Sequence, residues 1–284
     1  MISISKYHGC GNNFIIVKES DLPRAITMRD EASRIEAYSQ LAVNMCCINT
    51  GVGADGFIVV REEPELEMVF FNRDGSRAPM CGNGIRCFAH YCMDKGIRED
   101  AVYPVKTQAG EMTVNVTQDE PFRVRINMGK PVMNPQAIAV KSDEEDFMGK
   151  EIALKDGGSC KVYSFFMGTI HTVIFVDEID EEVLEPLGEE ICNHPVYTEK
   201  TNVNFVKVID RNTLEVLTYE RGVGITFACG TGACASVVAA SLCGLAEDSA
   251  DVQLKLGTLG ITIEEDGNVY MEGPSVHILD GTFE

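Results

Sequence analysis

One motif occurs twice in this chain, and a duplicated unit restricts the fold more than any single pattern could. Around Cys81 the sequence reads VFFNRDGSRAPM-CGNGIRCFAHY, and around Cys229 it reads VLTYERGVGITFA-CGTGACASVVAA. Each copy passes from a β-rich run through a charged, glycine-containing turn to Cys-Gly-polar-Gly, then into an apolar stretch of helical character. Asn72 lies nine residues before Cys81, and Glu220 lies nine before Cys229. A fainter echo pairs GNNFIIV, from Gly11, with GTIHTVIFV, from Gly168. A unit of about 140 residues present twice predicts two similar domains facing each other, not a short-period solenoid.

β-Branched and alternating runs predict strands over Phe57–Val60, Met68–Phe71, Met112–Val116, Phe122–Met128, Ile152–Val162 and Leu214–Tyr219. Helices are predicted over Arg29–Ala42, Ile85–Lys95, Glu181–Cys192 and Ala233–Leu245. Strands outnumber helices, and each half has one long apolar helix. The class is therefore α+β, with a sheet wrapped around a central helix in each domain. Gly129-Lys130-Pro131 marks the domain junction. The domains are expected over 1–128 and 129–273, with a C-terminal strand within 274–284 returning to the first.

Composition narrows the class of partner. With 24 Lys+Arg against 44 Asp+Glu the net charge is −20, which disfavours nucleic acid and anionic membrane surfaces. The longest nearly apolar stretch, Ala233 to Ala246, is too short to span a bilayer and reads as a buried helix. The N-terminal MISISKYHGCGNNFIIV has no secretory pattern, so a cytoplasmic protein is expected. Eleven cysteines, an odd number in such a chain, argue against a disulfide scaffold. Cys81, Cys87 and Cys92 are spaced wrongly for a zinc site, and no metal is expected. Gly51-Val-Gly53-Ala-Asp-Gly56 satisfies G-x-G-x-x-G literally, but a strand follows where a dinucleotide site needs a helix. A backbone turn accounts for it better.

The paired Cys-Gly segments carry the chemistry. Each places a thiol at the mouth of a predicted helix with a glycine-rich first turn. Such an end offers unpaired N–H groups and a positive dipole, which favour a thiolate and bind a carboxylate. Glycine lets the anion approach closely. Two such ends suit removal of an amino-acid α-proton by one thiolate and delivery of a proton by the other thiol from the opposite side. Charge gathering on the carboxylate in the transition state would be stabilised by the oriented amides. No cofactor is required, and no lysine stands where a pyridoxal Schiff base would need one.

The sequence resembles the diaminopimelate epimerase family, cofactor-independent enzymes of the lysine and peptidoglycan pathway. The resemblance is carried by KYHGCGNNF, FFNRDGSRAPMCGNGIRCF, NVNF and YERGVGITFACGTGACA, spread from Lys6 to Ala235. It implies two pseudo-symmetric α+β domains with the active site in the cleft between them, and Cys81 and Cys229 as the acid–base pair. It implies that His171 and Glu220 contact the substrate amine near the reacting centre. Backbone amides around Gly82, Asn83, Gly230 and Thr231 would bind the reacting carboxylate. Asn12, Asn72, Asn202 and Arg221 match substrate-binding positions, the last three at the distal amino-acid end. Thr169 stands where the family has an asparagine for the distal carboxylate, and Ile170 stands where it has proline. Ile225 replaces a common Glu, and Asn13 a common Asp.

The expected reaction is epimerisation of LL-2,6-diaminopimelate to the meso form. The alternative is racemisation of another amino acid, such as histidine or a basic one, by the same two thiols. Proline racemases typically place Asp before the second Cys-Gly, where this chain has Ala228. A catalytically dead amino-acid-binding module would not need both Cys81 and Cys229. The expected partner is a small amino acid, with a homodimer as the expected assembly and neither nucleic acid nor membrane involved.

Overall fold

The computed structural model describes all 284 residues, and the chain divides into Met1–Ile126 with Gly273–Glu284 and a second unit, Asn127–Glu272. The first unit begins with β1 (Ile2–Gly9) and β2 (Asn12–Lys18), a single turn α1 (Arg24–Thr27), and helix α2 (Glu31–Cys46). It continues through β3 (Gly56–Arg61), β4 (Glu67–Asn72), α3 (Gly82–Asp94), β5 (Val102–Thr107), β6 (Gly110–Gln118) and β7 (Arg123–Asn127). Every residue of β3 is buried, so both faces of that strand are covered. Phe57 and Val59 join the cluster containing Tyr38, Ala42 and Met45 of α2. Ile58, of opposite parity, lies against the first turn of α3.

The second unit holds β8 (Phe147–Ala153), β9 (Ser159–Met167), β10 (Thr169–Phe175), α4 (Glu181–Cys192) and β11 (Asn202–Asp210). It then runs through β12 (Thr213–Glu220), β13 (Gly224–Thr226), α5 (Gly230–Leu242), β14 (Ser249–Leu254), β15 (Gly257–Ile263) and β16 (Val269–Pro274). The final strand, β17 (Val276–Phe283), pairs antiparallel with β1 and so belongs to the first unit.

The two units repeat one topology strand for strand. The first is ordered β17-β1-β2-β3-β4-β5-β6-β7, and the second β8-β9-β10-β11-β12-β14-β15-β16. Parallel pairs fall at the same places, β2–β3 and β4–β5 in one, β10–β11 and β12–β14 in the other. In each unit the sheet curls around one buried helix, α3 or α5, with α2 or α4 on its outer face. Small residues on α5 (Ala233, Ala235, Ala239 and Ala240, all fully buried) let strands approach it from several sides.

Local readings differ at the β8–β9 hairpin and at the starts of the two central helices. Ile152–Val162 is the hairpin of β8 and β9, turned at Lys155–Gly158, because the Asp-Gly-Gly there outweighs the flanking β-branched residues. Both central helices start three residues before Ile85 and Ala233, at the glycines after each cysteine. Gly51–Asp55 is irregular backbone leading into β3, in line with the turn reading, with Gly53 at φ +75° and its N–H donating to the Met45 carbonyl.

Candidate active site

Cys81 is the N-cap of α3 and Cys229 the N-cap of α5, both in extended backbone with the helix beginning at the next residue. The first helical amides have no carbonyl within the helix to meet, so both ends present donors and a positive dipole. Cys81 Sγ accepts from Gly84 N at 3.4 Å and lies 3.9 Å from Asn12 Oδ1. Cys229 Sγ lies 3.5 Å from Thr231 Oγ1. Glycine is needed here for space: a Cβ at Gly232 would stand 2.3 Å from Asn204 Oδ1 and 3.2 Å from Cys229 Cβ.

In the first unit Asn12, at the start of β2, accepts from Asn83 Nδ2 at 3.2 Å and donates to Asp55 Oδ2 at 3.1 Å. Asp55 also takes the backbone and side-chain N–H groups of Asn13, at 2.9 and 2.8 Å. Asn12, Cys81 and Asn83 are thus one cluster built on α3 and β2. Asn72, at the end of β4, is exposed and donates to Ser76 Oγ at 2.9 Å. The main chain of Gly82 is tied down by Arg86, whose fully buried guanidinium donates to the Gly82 carbonyl at 3.1 Å.

In the second unit the candidate residues form a row across neighbouring strands. His171 pairs with Asn202, and Val203 with Tyr219, which sets Asn202 level with Glu220. The equivalent row in the first unit is Phe14, Gly56 and Asn72, so the duplication extends to register. Asn202 Oδ1 accepts from Arg221 N at 2.9 Å, and Arg221 Nη2 donates to Thr169 Oγ1 at 3.0 Å. Gly168, at φ +74°, brings the start of β10 against Thr231, whose Cγ2 would be 2.9 Å from a Cβ there. His171, Glu220, Arg221, Asn202, Thr169, Cys229, Gly230 and Thr231 therefore all lie at strand ends or the helix mouth of one unit.

Burial sets the charges of these groups. His171 is fully buried, and its pKa is pushed down to about 3 by burial and then by the positive Arg221, with Asn204 opposing. Glu220 is pushed above the usual carboxylate range by burial, partly offset by the Thr226 hydroxyl that donates to it at 2.6 Å. His171 Nε2 is buried with no partner. A buried polar atom left so costs about 1–3 kcal/mol, which a ligand group can recover.

Sequence reasoning passed over Asn204, Thr218, Thr226 and Asp55. Asn204 sits inside NVNF, and its signal was parity: Val203 and Phe205 enter the core against α4, whereas Asn204, a fully buried polar residue, turns to the α5 face.

The chain is similar to known proteins over nearly its whole length. The family model described as diaminopimelate epimerase matches residues 4–134 and 163–278. The diaminopimelate epimerase of Clostridium perfringens is 41% identical over 288 residues, spanning 99% of each chain. That of Alkaliphilus metalliredigens is 37% identical over 292 residues, spanning 99% of this chain and 97% of the relative. Among solved structures, a probable proline racemase from Agrobacterium radiobacter with bound carbonate superposes with a TM-score of 0.71 at 15% identity, covering 100% of this chain and 93% of the other. A phenazine biosynthesis protein from Bacillus anthracis gives 0.66 at 15% identity, covering 99% and 98%. At those identities the likeness is one of fold.

Proposed function

The chain belongs to the diaminopimelate epimerase family, and from that premise we propose that Cys81 and Cys229 are its two acid–base groups. It is an isomerase acting on a small amino-acid substrate, and its reaction is epimerisation of LL-2,6-diaminopimelate to the meso form. One cysteine, as thiolate, takes the α-proton; the electron pair left on carbon delocalises into the carboxylate. The other cysteine, as thiol, gives its proton to the opposite face, so configuration inverts and the two sulfurs exchange protonation states.

The observation that carries this reading is the equivalence of the two thiols. Each caps the central helix of its unit, ahead of a glycine-bearing first turn, at matching points of two sheets with the same strand order. Amides at Gly82, Asn83, Gly230 and Thr231 hold the carboxylate as its charge rises, the kind of oriented donor worth about 3–4 kcal/mol in a transition state. Glu220 and His171 flank the reacting centre. Asn12 and Asn72 bind from the first unit, and Asn202, Arg221 and Thr169 receive the distal end. Thr169 has one hydroxyl in place of a longer amide, and Arg221 keeps it oriented. The reading requires one α-carbon to reach both sulfurs from opposite sides. A cytoplasmic setting fits it, since the two thiols must stay reduced to work.

The test is α-proton exchange in D₂O across a panel of amino acids. LL-diaminopimelate is expected to give meso product carrying deuterium at the inverted centre. Rapid exchange of histidine or a basic amino acid with none of diaminopimelate would replace the substrate while keeping the chemistry.

A further inference from the structure

Asn204 of β11 faces the His171 ring of the neighbouring β10. Its Nδ2 lies 3.1 Å from His171 Nδ1 and 3.4 Å from the Thr172 carbonyl oxygen. Its Oδ1 accepts from Thr218 Oγ1 at 3.0 Å. A carbonyl oxygen can only accept, so the end of the amide facing Thr172 must be the nitrogen. The second hydrogen on that nitrogen then points at His171 Nδ1, which has to be the acceptor. A neutral imidazole holds one N–H, and it therefore sits on Nε2, the buried atom that has no partner within the protein. All four groups are fixed in place: His171, Thr172 and Asn204 are fully buried and Thr218 nearly so. The absence of a side chain at Gly232 makes room for Asn204, since a Cβ there would overlap Oδ1.

A substrate amino acid offers two groups at its reacting centre, an ammonium that only donates and a carboxylate that only accepts. An Nε2–H can pair with the second alone. We propose that Asn204 is a positioning residue that locks His171 as the Nε2–H tautomer, so that the ring donates to a substrate carboxylate oxygen instead of receiving the ammonium. This rests on the reaction proposed above and alters one role within it: the amine falls to Glu220. The donation strengthens as the carboxylate gains charge, so its loss shows in kcat more than in KM.

Two measurements test it. In protein labelled with ¹⁵N-histidine, long-range ¹H–¹⁵N spectra distinguish the tautomers, and His171→Gln identifies the signal. Without substrate, wild type is expected to show Nε2–H. Asn204→Asp places an acceptor at Nδ1 and is expected to move the proton there, with kcat falling about 100- to 1,000-fold and KM little changed. Thr218→Val leaves the amide but frees its orientation; it is expected to show both tautomers and an intermediate kcat. An Nδ1–H signal in wild type overturns the proposal whether or not either variant folds. So does an Asn204→Asp protein that carries Nδ1–H and turns over at the wild-type rate. Wild type showing Nε2–H while exchanging no α-proton of diaminopimelate would sink the reaction and leave the tautomer standing.

Discussion

Burial, more than any neighbouring charge, governs the ionisable groups at the ends of β10 and β12. His171 holds no proton on its second nitrogen until about pH 3, whereas an unfolded chain would take it up near 6.5. Between those values the unfolded state binds the extra proton, so stability is present above about pH 6.5 and is lost as pH falls towards the folded value. The slope for one group is about 1.4 kcal/mol per pH unit. His171→Gln should flatten the pH dependence of urea unfolding between about pH 6 and pH 4 by roughly that amount. An unchanged slope would mean that His171 is not buried as the neutral ring. Glu220 runs the other way: its raised pKa means the folded chain keeps a proton that the unfolded chain releases, so its share of stability declines as pH rises through the carboxylate range. Cys81 and Cys229 are legible in the sequence as helix-mouth thiols because their motif is local, whereas Glu220 and Arg221 enter through the family resemblance. Asn204 is not legible there, because its importance depends on strand parity and on a helix glycine 28 positions further on.

At the level of elements, α3 and α5 do the placing, and their glycines are the cost of doing so. Glycine is a poor helix former by about 1 kcal/mol relative to alanine, which is why the sequence pattern started both helices at Ile85 and Ala233. The structure starts them at Gly82 and Gly230, directly after the thiol that caps each one. Gly232→Ala should therefore lose stability, by about 1–3 kcal/mol, in spite of its better helix propensity, since the new methyl meets Asn204 Oδ1. Gly84→Ala, whose nearest contacts are Cys81 Cβ at 3.3 Å and Ile58 Cδ1 at 3.5 Å, should cost less. Urea unfolding of the two variants ranks them, and a Gly232→Ala protein more stable than wild type would contradict the packing described here.

Across the whole molecule, the repeat seen in the sequence turns out to be a repeat of strand order, strand direction and register. The sequence motif marked only its centre, the run into each cysteine and the helix beyond. Of the outer strands β6 is legible at Met112–Val116, but β5, β14 and β15, which carry exposed residues and share no motif, are not. The two copies are closed differently: β8 precedes its partner β9, whereas the equivalent strand β17 comes from the far end of the chain to pair with β1. Removing residues 276–284 should leave β1 as a bare edge, lower the melting temperature and promote aggregation; an unchanged melting curve would show that β17 is dispensable.

The two-thiol assignment is tested most directly by single-cysteine variants incubated with LL- and meso-diaminopimelate in D₂O. With Cys81→Ala or Cys229→Ala, one base remains and reaches one face of the carbon, so each variant should exchange the α-proton of one configuration, the two variants choosing opposite ones, and neither should invert it. Inversion by either variant at the wild-type rate would contradict the account.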